Sequence, residues 1–316
     1  MGENSIFHDS SHGASHINMD ASRTVSPELL SVSRRTDIPA FFAEKFVADL
    51  HAGRTSVPDP YGRPPRTVLF DRVLGAVFWS KNPAPLLPHL ALVNRILPAW
   101  YFQFTLNDYP GLEIAVPPLP ERIATFRALV DGWGCGRVVW RFDPLVAAEG
   151  CGTEALLERV ARIGEQLAGY TDTLVFSFLQ TADYRHVRAS LARHAVPVRD
   201  WTPEERRQLA AALAELAAGW GMRAEACALP DDFSPLGVLP ARCIDDRRLL
   251  RLAPDHAALH ACLRQPPDRL LPETEAEAHA RLKDPHQRRH CTCIRAVDIG
   301  SYGTCGHGCV YCYALR

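Results

Sequence analysis

From residue 29 onward, short runs of apolar and aromatic residues alternate with longer amphipathic stretches, which limits the chain to repeated β-α units around a mostly parallel sheet. This pattern predicts strands over residues 30–34, 75–80, 100–105, 137–142, 173–178, 223–227 and, more weakly patterned, 295–299. Between them it predicts helices over 41–51, 85–96, 120–132, 153–168 and 203–219. The last is the best signalled, with Thr202 as N-cap, Pro203 at the first helical position, Glu204 and Glu205 in the first turn and Gly219 at the close. The Pro- and Gly-rich stretch 58–65 reads as a loop. Seven parallel strands approach a closed ring. The expected fold class is therefore α/β, a TIM-barrel-like (β/α) barrel, complete or short of a strand, followed by a cysteine-rich C-terminal loop.

With 316 residues and 47% hydrophobic content the chain can bury a large core. No repeat or low-complexity linker divides it, so the reading is one barrel domain over 27–285 and a cysteine-rich segment over 286–316. Residues 1–26, rich in Ser, His, Asp and Gly, are expected to be a disordered extension, with Met19 an alternative start. Its His8, His12 and His16 have i, i+4 spacing suited to a metal, although a solvated tail explains them more simply. A net charge of −1 gives no global attraction to nucleic acid or to an anionic membrane. There is no apolar run of about 18 residues and no basic leader followed by an apolar core, so a cytoplasmic protein without a membrane partner is expected. Ten cysteines with clustered spacing in such a chain favour metal ligation over disulfides.

The sharpest cluster is Cys305-Gly-His-Gly-Cys309-Val-Tyr-Cys312, three thiols at C-x-x-x-C-x-x-C spacing. Three is one fewer than a closed site needs. Thiolates at these offsets can hold three irons of a 4Fe–4S cube and leave the fourth open to an exogenous ligand. Gly303, Gly306 and Gly308 supply the backbone freedom that a loop wrapped around one centre demands. The competing account is a zinc site completed by His307 or His290, which matches the spacing less well.

The string Tyr302-Gly-Thr-Cys-Gly-His-Gly-Cys-Val-Tyr-Cys-Tyr-Ala resembles the cluster-binding motif of radical S-adenosylmethionine (SAM) enzymes, in the version of spore photoproduct lyase-like members. Over most of its length the chain also resembles a bacterial family known only as domain of unknown function 1848. That likeness rests on Ser33-Arg-Arg-Thr-Asp-Ile-Pro39, Phe78-Trp-Ser-Lys-Asn-Pro83, Trp140-Arg-Phe-Asp-Pro144 and the cysteine tail. The radical SAM resemblance implies that Cys305, Cys309 and Cys312 ligate a 4Fe–4S cluster and that Tyr311 lies beside the adenine of SAM. It further implies that an electron donor such as flavodoxin or ferredoxin drives reductive cleavage of SAM to a 5′-deoxyadenosyl radical. Two departures stand out: the motif ordinarily follows the first strand, and no Gly-Gly-Glu-like strand end is present here.

Nearly every expected strand ends in polar residues: Arg34, Arg35, Thr36 and Asp37; Lys81 and Asn82; Asn107 and Asp108; Arg141 and Asp143; Gln180; Glu225. In a β/α barrel these ends gather at one mouth, where active sites are built. Arg35, Lys81 and Arg141 suit a carboxylate of SAM or substrate, and Asp37, Asp143 and Glu225 suit ribose hydroxyls or amines. Buried ion pairs that hold the rim are the alternative. A second group, Cys227, Cys243, Cys291 and Cys293, could close a four-thiolate site for a second iron–sulfur cluster or zinc, or be buried thiols without a ligand. Cys135, Cys151 and Cys262 have no close partners in sequence. The expected activity is that of a radical SAM-like iron–sulfur enzyme acting on a small polar substrate. The alternatives are a non-catalytic iron–sulfur or zinc module, and nucleic-acid lesion repair of the spore photoproduct lyase kind, which the balanced charge disfavours.

Overall fold

The computed structural model describes residues 23–59, 61–182, 184–264 and 272–315. Met19, His8, His12 and His16 lie outside these residues. Eleven strands are present among them: β1 (Thr24–Val25), β2 (Leu29–Val32), β3 (Arg54–Val57), β4 (Arg66–Leu69), β5 (Gly75–Ser80), β6 (Ala99–Thr105), β7 (Val138–Leu145), β8 (Thr173–Phe178), β9 (Arg223–Ala226), β10 (Leu239–Pro240) and β11 (Val297–Asp298). The helices are α1 (Ile38–Phe41), α2 (Ala43–Ala52), α3 (Leu90–Ile96), α4 (Leu119–Trp133), α5 (Thr153–Leu167), α6 (Arg185–Arg193), α7 (Pro203–Gly219), α8 (Asp246–Leu252), α9 (Ala257–Leu263) and α10 (Glu275–Leu282).

Eight strands form one parallel sheet in the order β10-β9-β8-β7-β6-β5-β2-β11. Apart from β11, neighbours follow chain order, as expected of successive β-α units. The last strand returns to pair with the first of the eight, Val297 opposite Leu30 and Asp298 opposite Ser31. Among the described residues the terminal strands β10 and β11 are not paired with each other, so the sheet is parallel and mixed with helices without a closing ladder. The segment after residue 286 contributes β11 to this sheet and is thus joined to the rest of it through backbone hydrogen bonds.

Both faces of the sheet are covered, which is why its strands carry continuous apolar runs rather than strict alternation. Along β6, Trp100, Phe102 and Phe104 enter the larger core with residues of α2 to α7, including Phe46, Leu90, Phe126, Val160, Leu191 and Leu213. The intervening Ala99 and Tyr101 enter a smaller core on the opposite face with Val77, Val139 and Val175, covered by Leu249 of α8 and Leu259 and Leu263 of α9. The capping box read from Thr202 and Glu205 is formed at the start of α7.

Several boundaries differ from the sequence reading, and each difference has a local cause. The helix expected over 85–96 begins as a 3-10 turn, Ala84–His89, because Pro85 and Pro88 cannot donate α-helical hydrogen bonds. That expected over 41–51 is two helices parted at Phe42. Part of the expected N-terminal extension is ordered: β1 pairs with β4, which with β3 makes a separate three-stranded sheet. The stretch expected as a loop over 58–65 falls between its antiparallel pair, β3 and β4, with residue 60 outside the described residues.

Candidate functional site

The carboxyl ends of β2, β5 and β6 are roofed by the loop that carries Cys305, Cys309 and Cys312. Its attachment is a set of specific hydrogen bonds. Ala115 N–H donates to the His307 carbonyl at 2.9 Å, Val310 N–H to Leu112 O at 2.9 Å, and Glu113 and Cys309 form an isolated antiparallel bridge. The Tyr313 hydroxyl donates to Arg34 O at 2.6 Å. Two glycines permit this fit for different reasons. Gly308 has φ +64°, a left-handed conformation immediately before Cys309. Gly306 is demanded by space rather than by φ: a Cβ there would meet the Phe41 ring at 2.8 Å.

Beneath the loop lies a buried ionic network. Lys81 Nζ stands 2.6 Å from Glu113 Oε1 and donates to the Tyr311 hydroxyl at 3.1 Å, while that hydroxyl donates a short hydrogen bond to Glu113. Asn107 Nδ2 reaches the same hydroxyl at 3.0 Å, and Arg122 Nη2 lies 3.8 Å from the other Glu113 oxygen. Burial alone would raise the Glu113 carboxyl, but the ammonium of Lys81, with hydrogen bonds from Lys81 and Tyr311, outweighs it and holds the group below the ordinary carboxylate value. Burial opposes the Lys81 charge, and Glu113 reverses that, so the ammonium is held above its ordinary value. Nearby, Asp37 accepts from Ala40 N–H as the cap of α1, from Lys81 N–H at 2.8 Å, and faces His307 Nε2 at 2.8 Å. His307 is buried, and its Nδ1 has no partner among the described residues.

The three motif thiols are free and lie within electrostatic reach of one another. Burial pushes Cys309 up to about 12, against the lowering influence of Lys81. Cys305 is raised, chiefly by burial. As metal ligands these thiols would have to lose their protons, which a bound cationic centre favours. Among the described residues no three or more His, Cys, Asp or Glu side chains stand as a formed metal-ligand group. The donor set itself, three soft thiols without a fourth in the motif, suits an iron–sulfur cluster with one open iron. Of the residues weighed for a zinc site, His307 has one ring nitrogen committed to Asp37, and His290 is exposed.

The strand-end residues separate into distinct environments. Arg35 stacks on Tyr302, its guanidinium 5.2 Å from the ring centroid, beside a cavity of about 230 Å³ lined by Arg35, Pro58, Asp59, Gly300, Ser301, Tyr302 and Gly303. Arg141 lies within β7 as expected, and so does Asp143, which the strand expected over 137–142 left outside; the two pair at 2.6 Å. Asp143 also accepts from Ser177, and its own N–H donates to Asn107 Oδ1. Glu225, near Arg223, is raised by burial. Gln180 lines a second cavity of about 310 Å³ with Phe178, Trp201 and Arg206.

Cys227, Cys243, Cys291 and Cys293 are brought together, all buried and in the smaller core. Cys227 Sγ is 3.5 Å from Cys243 Sγ, and side-chain contacts continue from Cys243 to Cys293 and from Cys293 to Cys291. Cys151 is buried in the larger core, Cys135 is exposed, and Cys262 is half-buried against the edge of the smaller core. Sequence reasoning missed Glu113, Ser177 and Asp298. Asp298 accepts from the hydroxyls of Ser31 and Ser33 and from Arg34 N–H, fastening β11 to β2. The signal for Asp298 was its place in a weakly patterned strand beside the motif; Glu113 and Ser177 had none.

An α/β chain with parallel strands, polar strand ends and a thiol-bearing loop over them is thereby defined. The model of the family described as Domain of unknown function (DUF1848) matches residues 29–314, and the chain belongs to that family. No curated protein and no solved structure matches it. Among the described residues no helix is long and apolar enough to cross a membrane.

Proposed function

We propose that the chain is an iron–sulfur enzyme of the radical SAM kind, built on a TIM-type β/α barrel whose mouth takes a small polar substrate. The observation that carries this reading is the seating of Cys305, Cys309 and Cys312 over the carboxyl ends of β2, β5 and β6, against a buried ionic network. The parallel run of eight strands in near chain order, with β11 returning beside β2, supports the barrel reading. Cys305, Cys309 and Cys312 would hold the cluster. A 4Fe–4S cluster bound there would supply one-electron reductive cleavage of SAM, the electron coming from the donor partner, methionine leaving, and 5′-deoxyadenosine forming once a hydrogen is taken from the substrate.

The chain's own groups supply position and charge. Lys81 sets a fixed positive charge near Cys309, and Glu113 with Tyr311 and Asn107 fixes that ammonium in place. Asp37 orients His307 through Nε2 and leaves Nδ1 available to a bound ligand. Arg35, held against Tyr302 at the rim of its cavity, can receive a carboxylate. Arg141 is already committed to Asp143, so its service is to orient that aspartate, which with Ser177 and Glu225 offers hydrogen-bonding groups to a substrate. A flavodoxin- or ferredoxin-type donor is the partner this chemistry requires.

The test is anaerobic reconstitution followed by reduction in the presence of SAM. The reading expects 5′-deoxyadenosine from the native chain and none above background from Cys309→Ala. Cluster formation without SAM cleavage would leave a non-catalytic iron–sulfur module instead.

A further inference from the structure

We infer that Cys227, Cys243, Cys291 and Cys293 form a second, separate site: a tetrahedral four-thiolate seat for one divalent ion of the zinc type. The sulfurs come from three pieces of chain. Cys227 follows β9, Cys243 lies between β10 and α8, and Cys291 and Cys293 sit on the approach to β11. They touch pairwise in a row, and an ion seated between Cys243 and Cys293 draws in the two outer sulfurs.

Distance separates a single ion from a cluster. With metal–sulfur bonds of about 2.3 Å, neighbouring ligands of a tetrahedral ion lie roughly 3.8 Å apart. The Cys227–Cys243 separation of 3.5 Å is close to that edge. A cubane, with its thiolates on separate irons at its corners, would hold them much further apart.

Charge gives an independent argument. Arg141, buried on the sheet, donates from Nη1 to Cys243 Sγ at 2.9 Å. Arg34 lies close enough to Cys291 and Cys293, and Arg288 to Cys227, for their charges to interact. Asp143, paired with Arg141 and near Arg288, and Asp298, near Arg34, answer part of this positive charge, two carboxylates against three guanidinium groups. Four thiolates around a divalent ion carry a net −2, which such cations offset.

The backbone is fixed as a ligand shell needs. Ile244 N–H donates to Cys293 Sγ at 3.4 Å. The Tyr101 hydroxyl and Gln103 Nε2 both donate to Cys243 O, at 2.8 and 2.9 Å. Thr292 Oγ1 donates to Ala241 O at 2.6 Å, tying the two cysteine-bearing segments together directly. An ion here clamps α8, α9 and the approach to β11 onto the sheet, so its role is structural.

The experiment uses the full chain carrying Cys305→Ala, Cys309→Ala and Cys312→Ala, which removes the motif of the proposed enzyme and isolates this site. Purified anaerobically, it should retain about one zinc per chain without acid-labile sulfide. After chelation its melting temperature should fall. Co²⁺ added to the stripped chain should then give the intense visible bands of tetrahedral thiolate coordination, abolished by excess Zn²⁺. Adding Cys243→Ser to this variant should remove the retained zinc. Because the Co²⁺ spectrum needs no change at the four thiols, it stands even if Cys243→Ser fails to fold. Absence of both retained zinc and the Co²⁺ spectrum would overturn the inference. So would iron with sulfide in place of zinc, or a Cys227–Cys243 disulfide in the anaerobic chain.

Discussion

Glu113 lies between two cations, 2.6 Å from Lys81 and 3.8 Å from Arg122, and its side chain is only 3% exposed. Removing it leaves both charges uncompensated in a poorly solvated place. Glu113→Ala should therefore destabilise the chain by about 3–5 kcal/mol, read by urea unfolding at neutral pH. The pH dependence follows from the signs of the shifts. Glu113 is depressed in the folded chain, so its stabilisation is present above the ordinary carboxylate value and lost as pH falls through the lower folded value. Glu225 is raised and behaves oppositely: its ionised form opposes folding above the raised value, and the penalty is relieved as pH falls through it. Glu225→Gln should accordingly raise the melting temperature at neutral pH and leave it little changed in acid. No gain at neutral pH would show that the Glu225 carboxylate is already compensated in the fold. The polar strand ends were legible because an interior parallel strand has no other reason to end in charge. Glu113 was not, since nothing in sequence links it to Lys81, 32 positions away.

Among the elements, α5 and α7 meet at a point set by one glycine. A Cβ on Gly164 would fall 2.2 Å from the Trp220 ring, which itself packs on Trp140. Gly164→Ala gains about 1 kcal/mol of helix propensity. It forces the partly buried Trp220 indole to move, at about 1–3 kcal/mol. The clash should win, giving a lower melting temperature by scanning calorimetry; an unchanged or higher value would mean that Trp220 repacks freely. Helices with long apolar faces, α5 and α7, could be read from the sequence nearly to the residue. The missed elements were short: among them β3 and β4 have four residues each, α8 and α9 seven, α10 eight and α6 nine. Their apolar positions are too few to establish a period, and tertiary contacts decide their form.

At the scale of the whole molecule, the parallel order of the sheet was legible from the alternation of apolar runs and amphipathic helices. What the alternation could not show was the return of β11 to β2, because two paired residues, Val297 and Asp298, leave almost no pattern. That return carries the C-terminal loop to the strand ends and so joins fold to chemistry. It also explains why cysteines with irregular spacing meet: Cys291 and Cys293 reach Cys227 and Cys243 only because the chain doubles back before β11. The proposed radical SAM chemistry stands on Cys305, Cys309 and Cys312 being the ligands of an iron–sulfur cluster. The most direct measurement is iron and acid-labile sulfide per chain in anaerobically reconstituted protein, native and with all three cysteines changed to alanine. About four of each are expected in the native chain and none in the variant. A native chain without sulfide, or a variant that keeps the same iron and sulfide as the native, would contradict it.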